Sequence, residues 1–432
     1  MKKTFTFLLC FLIPFAMLMA QKTWVEFTDA SPEPPETQII HQDLNRVILE
    51  ISVPGMYVSE IEEEGTVYQR IELTEYHTTK DVGRPELPMI HQLIGIPGGK
   101  TASVTILEKE TTLFEGMNIY PFQTPTTDNP GGGNKEFVID DEFYKAGKPY
   151  PERQTFLDQA GFWRDVKVTG LHITPFKYQT SKKTLEAITR LKVEVVFSES
   201  EGTNPGSGIK TVSPLFYKMY ESKIANFQSL GYNKGSKGND DIKYLVITNT
   251  NPLNSIQPLV DWKNQQGFRV EVKTMQTGFS TPQEFKNYIS QLYNSDGLEY
   301  VLMVGDAYPN GGNSGGPDDV PMYWWDPPGE SGSYSDSWYT CLDGPDDHYA
   351  DLAIGRFTYD NLNELDLQIQ KTIDHYFNPD ANTNWAENSI LIAHQENYPG
   401  KYTQCCEEIR TYPYSLQTPI FEPAYGGAGY NN

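Results

Sequence analysis

The chain runs to 432 residues, enough for two or three domains. A hydrophobic share of 38% and a charged share of 21% are those of a globular protein, and 35 Gly, 30 Pro and 13% aromatic residues favour a loop-rich, partly β structure over a helical bundle. A net charge of −23 argues against nucleic acid or an anionic membrane as the main partner and fits a soluble extracellular protein, although acidic side chains also serve solubility alone.

Residues 1–20 read as a secretory signal peptide. Met1-Lys2-Lys3 is a positive start, Phe5 to Met19 is apolar, and Ala20 offers a small residue for cleavage before Gln21. The run is too short and wrongly flanked for a membrane span, and no later segment reaches ~20 apolar residues. Cys10 leaves with this segment. The remaining Cys341, Cys405 and Cys406 are odd in number and imply no disulfide framework; their spacing is not that of a zinc site.

Residues 21–200 read as a β-rich domain. Val47, Leu49, Ile51 and Val53 share one face, Ala102, Val104 and Ile106 alternate with Thr and Ser, and Leu191, Val193 and Val195 alternate with Lys192 and Glu194. Many short runs of this period favour a sandwich. The tract 124–134, with Gly131-Gly132-Gly133, reads as a surface loop. Two polar, Gly-rich stretches flank a short helical segment within Val212 to Leu230, so residues 201–240 are expected to be a linker.

From residue 241 to 432 the period changes. Tyr244 to Thr248 is a buried strand, and Ser255 to Gln266 a helix stopped by Gly267. Phe268 to Lys273 is a strand. Thr281-Pro282-Gln283-Glu284 is a capping box that starts a helix carrying Phe285, Tyr288, Ile289 and Leu292. Tyr300 to Val304 and Leu352 to Gly355 are strands, with a helix over Asn361 to Phe377, a strand over Ser389 to Ala393 and a short helix over Tyr402 to Thr411. The alternation predicts a mainly parallel α/β sheet, and the whole chain an α+β multidomain protein.

The chemistry gathers between residues 300 and 357. The apolar run Tyr300-Val301-Leu302-Met303-Val304 ends in Gly305-Asp306, which places a carboxylate at the carboxyl edge of the sheet. A second acidic cluster, Asp346-Asp347-His348-Tyr349-Ala350-Asp351, precedes Leu352-Ala353-Ile354-Gly355-Arg356-Phe357 and can fold back to that edge. Carboxylates from two loops with carbonyls between them suit Ca²⁺; the competing reading is a structural turn in which Asp346 caps backbone amides. The aromatic loop Met322 to Tyr339 either lines peptide or sugar subsites or packs onto its own domain, and the second reading is preferred.

These motifs, with Val260-Asp261-Trp262-Lys263-Asn264-Gln265-Gln266-Gly267, resemble the gingipain-type cysteine peptidases over roughly residues 240–400. Upstream, Pro85-Glu86-Leu87-Pro88, Ile96-Pro97-Gly98-Gly99 and Leu171-His172-Ile173-Thr174-Pro175 resemble that family's propeptide. The resemblance implies a β-sandwich propeptide over 21–200, in contact with its own caspase-like catalytic domain. It maps Asp306, Asp347 and Asp351 to side-chain ligands of Ca²⁺, and Gly344 and Tyr349 to carbonyl ligands. It maps Glu396 to a carboxylate that orients the catalytic histidine; a solvated loop glutamate is the alternative. Glu407 and Glu408 lie near the family's specificity acid, with ambiguous spacing. By the same resemblance the catalytic histidine and cysteine fall past Asn432, so the expectation is a catalytic domain truncated at its C-terminus and inactive alone.

The implied function is that of a secreted or cell-surface bacterial cysteine endopeptidase zymogen acting on peptide or protein substrates. Within the same family, a signal peptidase of a secretion system is a further reading. The alternative from another class is a non-catalytic secreted module, stabilised by Ca²⁺, that binds or inhibits.

Overall fold

The computed structural model describes residues 22–27, 32–74, 76–124, 136–200, 211–235, 242–275, 281–309, 319–326, 332–377, 388–395, 401–411 and 420–427. The expected signal peptide, most of the 124–134 loop and Glu396 lie outside them. The described part is α+β, with antiparallel sheets up to residue 199 and parallel strands alternating with helices from residue 243.

The long strand Thr184–Glu199 organises the first part. It pairs antiparallel with Arg46–Ser52 on one side and with Lys100–Glu115 on the other. The register sets Leu191 opposite Ile51, Val193 opposite Leu49 and Val195 opposite Val47. All six are at most 1% exposed, so the alternation read from the sequence is what turns this face inward. The opposite face carries ion pairs such as Arg190 with Glu50 and Lys192 with Glu108. A second antiparallel sheet runs in the order Thr155–Leu157, Val166–Ile173, Pro88–Ile96, His77–Thr78. Its Ile90, Ile94, Leu171 and Ile173 join the same core.

Residues 211–235, expected to be linker, are folded onto the second sheet; 201–210 and 236–241 lie outside the described residues. Ser213 caps the helix Pro214–Lys223 by accepting from the Phe216 N–H, and Pro214 occupies its first position. Phe216, Tyr220, Ile224 and Phe227 then bury one stripe against Val166 and Val168. Asn226 fixes this packing. Its side-chain oxygen accepts from the Gly95 N–H at 2.8 Å and its amide donates to the Gly95 carbonyl at 2.9 Å. Polar and Gly-rich flanks made the segment look like linker, whereas an apolar stripe spread over a helix and a turn decides its place.

The second part is a four-stranded, all-parallel sheet in the order Arg269–Thr274, Lys243–Thr248, Leu298–Val304, Ala353–Phe357. Helix Pro282–Asp296 covers one face through Phe285, Ile289 and Leu292. Helices Leu253–Gln265 and Leu362–Phe377 cover the other through Ile256, Leu259, Leu365 and Ile369. Strands buried on both faces read as unbroken apolar runs, which is why Leu298–Val304 was legible. The predicted capping box is present, with Thr281 and Glu284 exchanging side-chain-to-backbone bonds. Asn388–Gln395 pairs in parallel with Ile420–Gly427.

Replacing Asn226 with Ala should leave the buried N–H and carbonyl of Gly95 unpaired. A loss of roughly 2–4 kcal/mol in denaturant unfolding is expected, against under about 0.5 kcal/mol for Gln228→Ala on the exposed side. Equal effects from the two variants would show that Asn226 does not anchor the segment.

Candidate functional site

The carboxyl edge of the parallel sheet is held by Arg356. Its guanidinium donates twice to Asp336, at 2.8 and 2.7 Å, and to the carbonyls of Gly305 and Val320 at 3.0 and 2.8 Å. This near-buried, bidentate arrangement ties the segments at Val320 and Asp336 to the end of Leu298–Val304, so Arg356 is a structural brace. Part of the aromatic loop packs inward, with Tyr323 stacked on Trp338 at 3.6 Å between centroids and the Tyr339 hydroxyl donating to the Pro321 carbonyl, while Trp324 and Tyr334 stay exposed.

Beside this edge the acidic loop folds on itself. Asp343, Asp347 and Asp351 bring carboxylate oxygens within 4.8 Å of one another. Asp347 accepts from the Asp343 and Tyr349 N–H groups at 3.0 and 2.9 Å. Asp351 has no exposed surface. One of its oxygens accepts from the Leu342 N–H at 2.9 Å, and the other, Oδ1, is buried without a hydrogen-bond partner. Burial, and then the charges of Asp343 and Asp347, push its pKa up to about 7. Burial and Asp347 also raise that of Asp343. Lys286, half-buried over the Trp338 ring, is the cation facing this group, and burial lowers its pKa.

Of the residues singled out in the sequence, Asp347 and Asp351 thus converge. Gly344 lies in the same loop at φ 123, a backbone conformation open to glycine. Tyr349 is held there through its N–H. Asp306 stands at the end of Leu298–Val304 with its residue exposed; its carbonyl accepts from the Val320 N–H, and its carboxylate is outside the convergent group. Asp343 takes the third place. Sequence reading missed it, although 343, 347 and 351 recur every four residues. The group fits a hard divalent cation by its donor set and by the orphaned Asp351 Oδ1, which lacks the partner that a buried carboxylate requires.

The thiols are differently placed. Cys341 is buried, and its thiol is pushed up to about 12 by burial and by the charge of Asp347. Cys405 is exposed and Cys406 half-buried on Lys401–Thr411. Among the described residues none of the three is hydrogen-bonded to a histidine.

The seam between the two parts meets this loop. Arg164, at the turn between Gly161–Trp163 and Val166–Ile173, donates to the Asp351 carbonyl at 2.6 Å and to the Leu298 carbonyl at 3.4 Å. Its guanidinium lies between the rings of Phe216 and Tyr293, 4.6 and 4.9 Å from their centroids. A cavity of about 550 Å³ opens alongside, lined by Trp163, Phe216 and His91 on one wall and His348, Tyr349 and Leu352 on the other.

A β-rich domain is clamped by a buried arginine onto the acidic edge of a parallel α/β sheet, and comparison with known proteins assigns each part. Residues 31–233 match the propeptide model of peptidase family C25, and residues 237–425 match the model of peptidase family C25 itself. The chain belongs to this gingipain-type cysteine peptidase family, as propeptide plus part of the catalytic domain. It is 23% identical over 404 residues to gingipain R2 of Porphyromonas gingivalis, covering 92% of this chain and 52% of that protein. It is 26% identical over 330 residues to gingipain R1 of the same organism, covering 76% and 31%. The chain therefore spans about half the length, or less, of these relatives. Among solved structures, a complex of the Porphyromonas gingivalis RgpB pro- and mature domains matches at 20% identity and a TM-score of 0.40, over 45% of this chain and 100% of that one.

A pH dependence follows from Asp351. Its carboxyl has a folded pKa of about 7 against 3.8 for the free group, so the folded state holds the proton more tightly. Its contribution to stability is complete below the unfolded value and is lost as pH rises through about 7. With chelator present, the thermal midpoint of wild type relative to Asp351→Asn should fall between about pH 4 and about pH 7 and level off above that. Ca²⁺ should remove most of that fall in wild type and little of it in Asp347→Ala. A flat difference in chelator, or a full Ca²⁺ response in Asp347→Ala, would contradict the assignment.

Proposed function

We propose that this chain is the propeptide and leading part of the catalytic domain of a secreted bacterial cysteine endopeptidase zymogen. The observation that carries it is the order of the two family matches along one chain, propeptide then peptidase, with Arg164 of the first bound to the acidic loop of the second. The β part is read as a sandwich and the α/β part as caspase-like, in keeping with the two-faced parallel sheet. Export is supported by the positive and apolar character of residues 1–20. Among the described residues no helix is long and apolar enough to cross a membrane.

Ca²⁺ is proposed as the resident cation, held by Asp343, Asp347 and Asp351. The resemblance adds the carbonyls of Gly344 and Tyr349, and Asp306 from the neighbouring strand end. When bound, the ion supplies positive charge that lets buried carboxylates stay ionised. Its role is structural: it fixes the loop whose backbone Arg164 engages. Glu396 is proposed as the carboxylate that orients the catalytic histidine. The thiols described here are poor candidates for the nucleophile, since one is buried with its pKa pushed up and, among the described residues, none meets a histidine.

Two measurements test this reading. The 432-residue chain should not hydrolyse peptides. The longest polypeptide the gene encodes should do so once its propeptide is cut, with loss of activity in iodoacetamide. Activity indifferent to iodoacetamide would remove the cysteine peptidase reading, and an inert long form would favour the non-catalytic module.

The second concerns latency. After a single tryptic cut near Lys234 or Lys237, the two halves should still co-elute on a sizing column. Arg164→Glu, which sets a carboxylate against Glu299 and two carbonyls, should release them. Halves that separate in wild type, or stay together in Arg164→Glu, would show that this contact is not what holds the propeptide.

A further inference from the structure

The second antiparallel sheet presents a row of rings on the face turned away from its core. In its register His91 stands directly opposite His172, and Phe156 opposite His172 on the other side. Phe156 stacks on His172 with centroids 4.6 Å apart. His172 meets His91 at 4.7 Å, and His77 follows at 6.4 Å. Asp158, just past the edge strand Thr155–Leu157, accepts through Oδ2 at 2.6 Å from His172 Nε2. Its position is set by its own N–H, which donates to the Gly170 carbonyl. Ligand atoms of His91, Asp158 and His172 all lie within 4.8 Å of one another.

Gly170 supplies a second observation. It lies two residues from His172 on the same face of the strand, and its φ is not positive, so the backbone there would accept a side chain. Space is what forbids one. A Cβ on Gly170 would sit 2.5 Å from Asp158 Oδ2, 2.6 Å from His91 Nε2 and 3.2 Å from His172 Nε2. Three donor atoms thus converge on one point, left open by a missing side chain. Bonds of ~2.0–2.2 Å to two imidazole nitrogens and one carboxylate oxygen require such a point, with donors ~3.3 Å apart. The His172–Asp158 pair, at 2.6 Å, has to open by about 0.7 Å, which surface side chains can do. Burial among the neighbouring rings, and then the proximity of His172, lowers the pKa of His91 and favours its neutral, ligating form.

We propose that His91, Asp158 and His172 form a binding site for a divalent transition metal of the Zn²⁺ class on the propeptide. Two imidazoles, borderline donors, with one carboxylate suit Zn²⁺ and discriminate against Ca²⁺, which takes oxygen alone. Three protein ligands leave a fourth position for water or an exogenous ligand. The metal joins the three-residue edge strand to the two strands beside it. His91 also lines the cavity at the seam with the peptidase part, so the site sits at the border of the two domains.

The test is Zn²⁺ titration by calorimetry of the intact chain, with excess Ca²⁺ present to satisfy the Asp343–Asp347–Asp351 group. Co²⁺ absorption serves as the spectroscopic check. Wild type should bind one equivalent and give the visible bands of nitrogen-ligated Co²⁺. His91→Gln and His172→Gln should each weaken binding at least ~10-fold. Gly170→Ala, which removes no ligand and only fills the central point, should do the same. Circular dichroism confirms that each variant is folded. No Zn²⁺ binding by wild type, or wild-type affinity retained in any one of the three variants, overturns the proposal. The result is independent of the peptidase reading, since no measurement depends on activity.

Discussion

A carboxylate with no exposed surface constrains everything around it, and Asp351 is that group. Its N–H donates to the Thr340 carbonyl, one oxygen accepts from the Leu342 N–H, and its own carbonyl accepts from Arg164. The remaining oxygen is buried and unpaired. Such a group is stable only when protonated or when a cation stands beside it. The acidic loop is therefore a conditional structure, and the domain seam is built on it. Arg164 reaches the loop through backbone carbonyls of Asp351 and Leu298, so what it recognises is the folded course of the chain and not a particular side chain. A loop that loses its fold loses the acceptor. This couples the cation site to the attachment of the β domain without any further contact.

The division of labour at the sheet edge explains why Arg356 and Arg164 are not equivalent. Arg356 lies within one domain, bidentate to Asp336 and almost fully buried, so its charge is matched. Arg164 has Asp165 of its own turn at 3.4 Å, and across the seam it meets Glu299 at 3.9 Å, two carbonyls and the Tyr293 ring. Because Asp165 stays with Arg164 when the domains part, its charge keeps a partner, and the contact is separable at lower cost than one locked in a bidentate buried ion pair. That difference suits a permanent brace in one case and a releasable contact in the other.

Elements with a strong period were legible in the sequence. The alternation of Val47, Leu49 and Ile51, the apolar run ending at Val304 and the capping box at Thr281 each report one face or one terminus, which local chemistry dictates. The segment 211–235 was misjudged because its contacts are long-range: Asn226 pairs with Gly95, 131 residues away. The acidic loop was legible as a cluster, but which carboxylates converge depends on how the loop turns. Asp343 enters the group and Asp306 stays outside it for that reason.

The histidine face was invisible for a stronger reason. His91 and His172 lie on neighbouring strands and Asp158 just past a third, and no ligand spacing along the chain links them; only the antiparallel register places 91 opposite 172. The signal that did exist was Gly170, a glycine inside a strand where its neighbours are apolar or β-branched. In a strand interior glycine weakens pairing, so its presence marks a place where something must come close. Here that something is a set of three polar atoms, from His91 on the next strand, from Asp158 past the edge strand and from His172 two residues on. The two candidate cation sites thus follow opposite rules. One is a single loop of carboxylates read by its composition, selecting a hard ion through oxygen alone. The other is a cross-strand assembly of imidazole and carboxylate, selecting a borderline ion through a geometry that exists only once the sheet has formed.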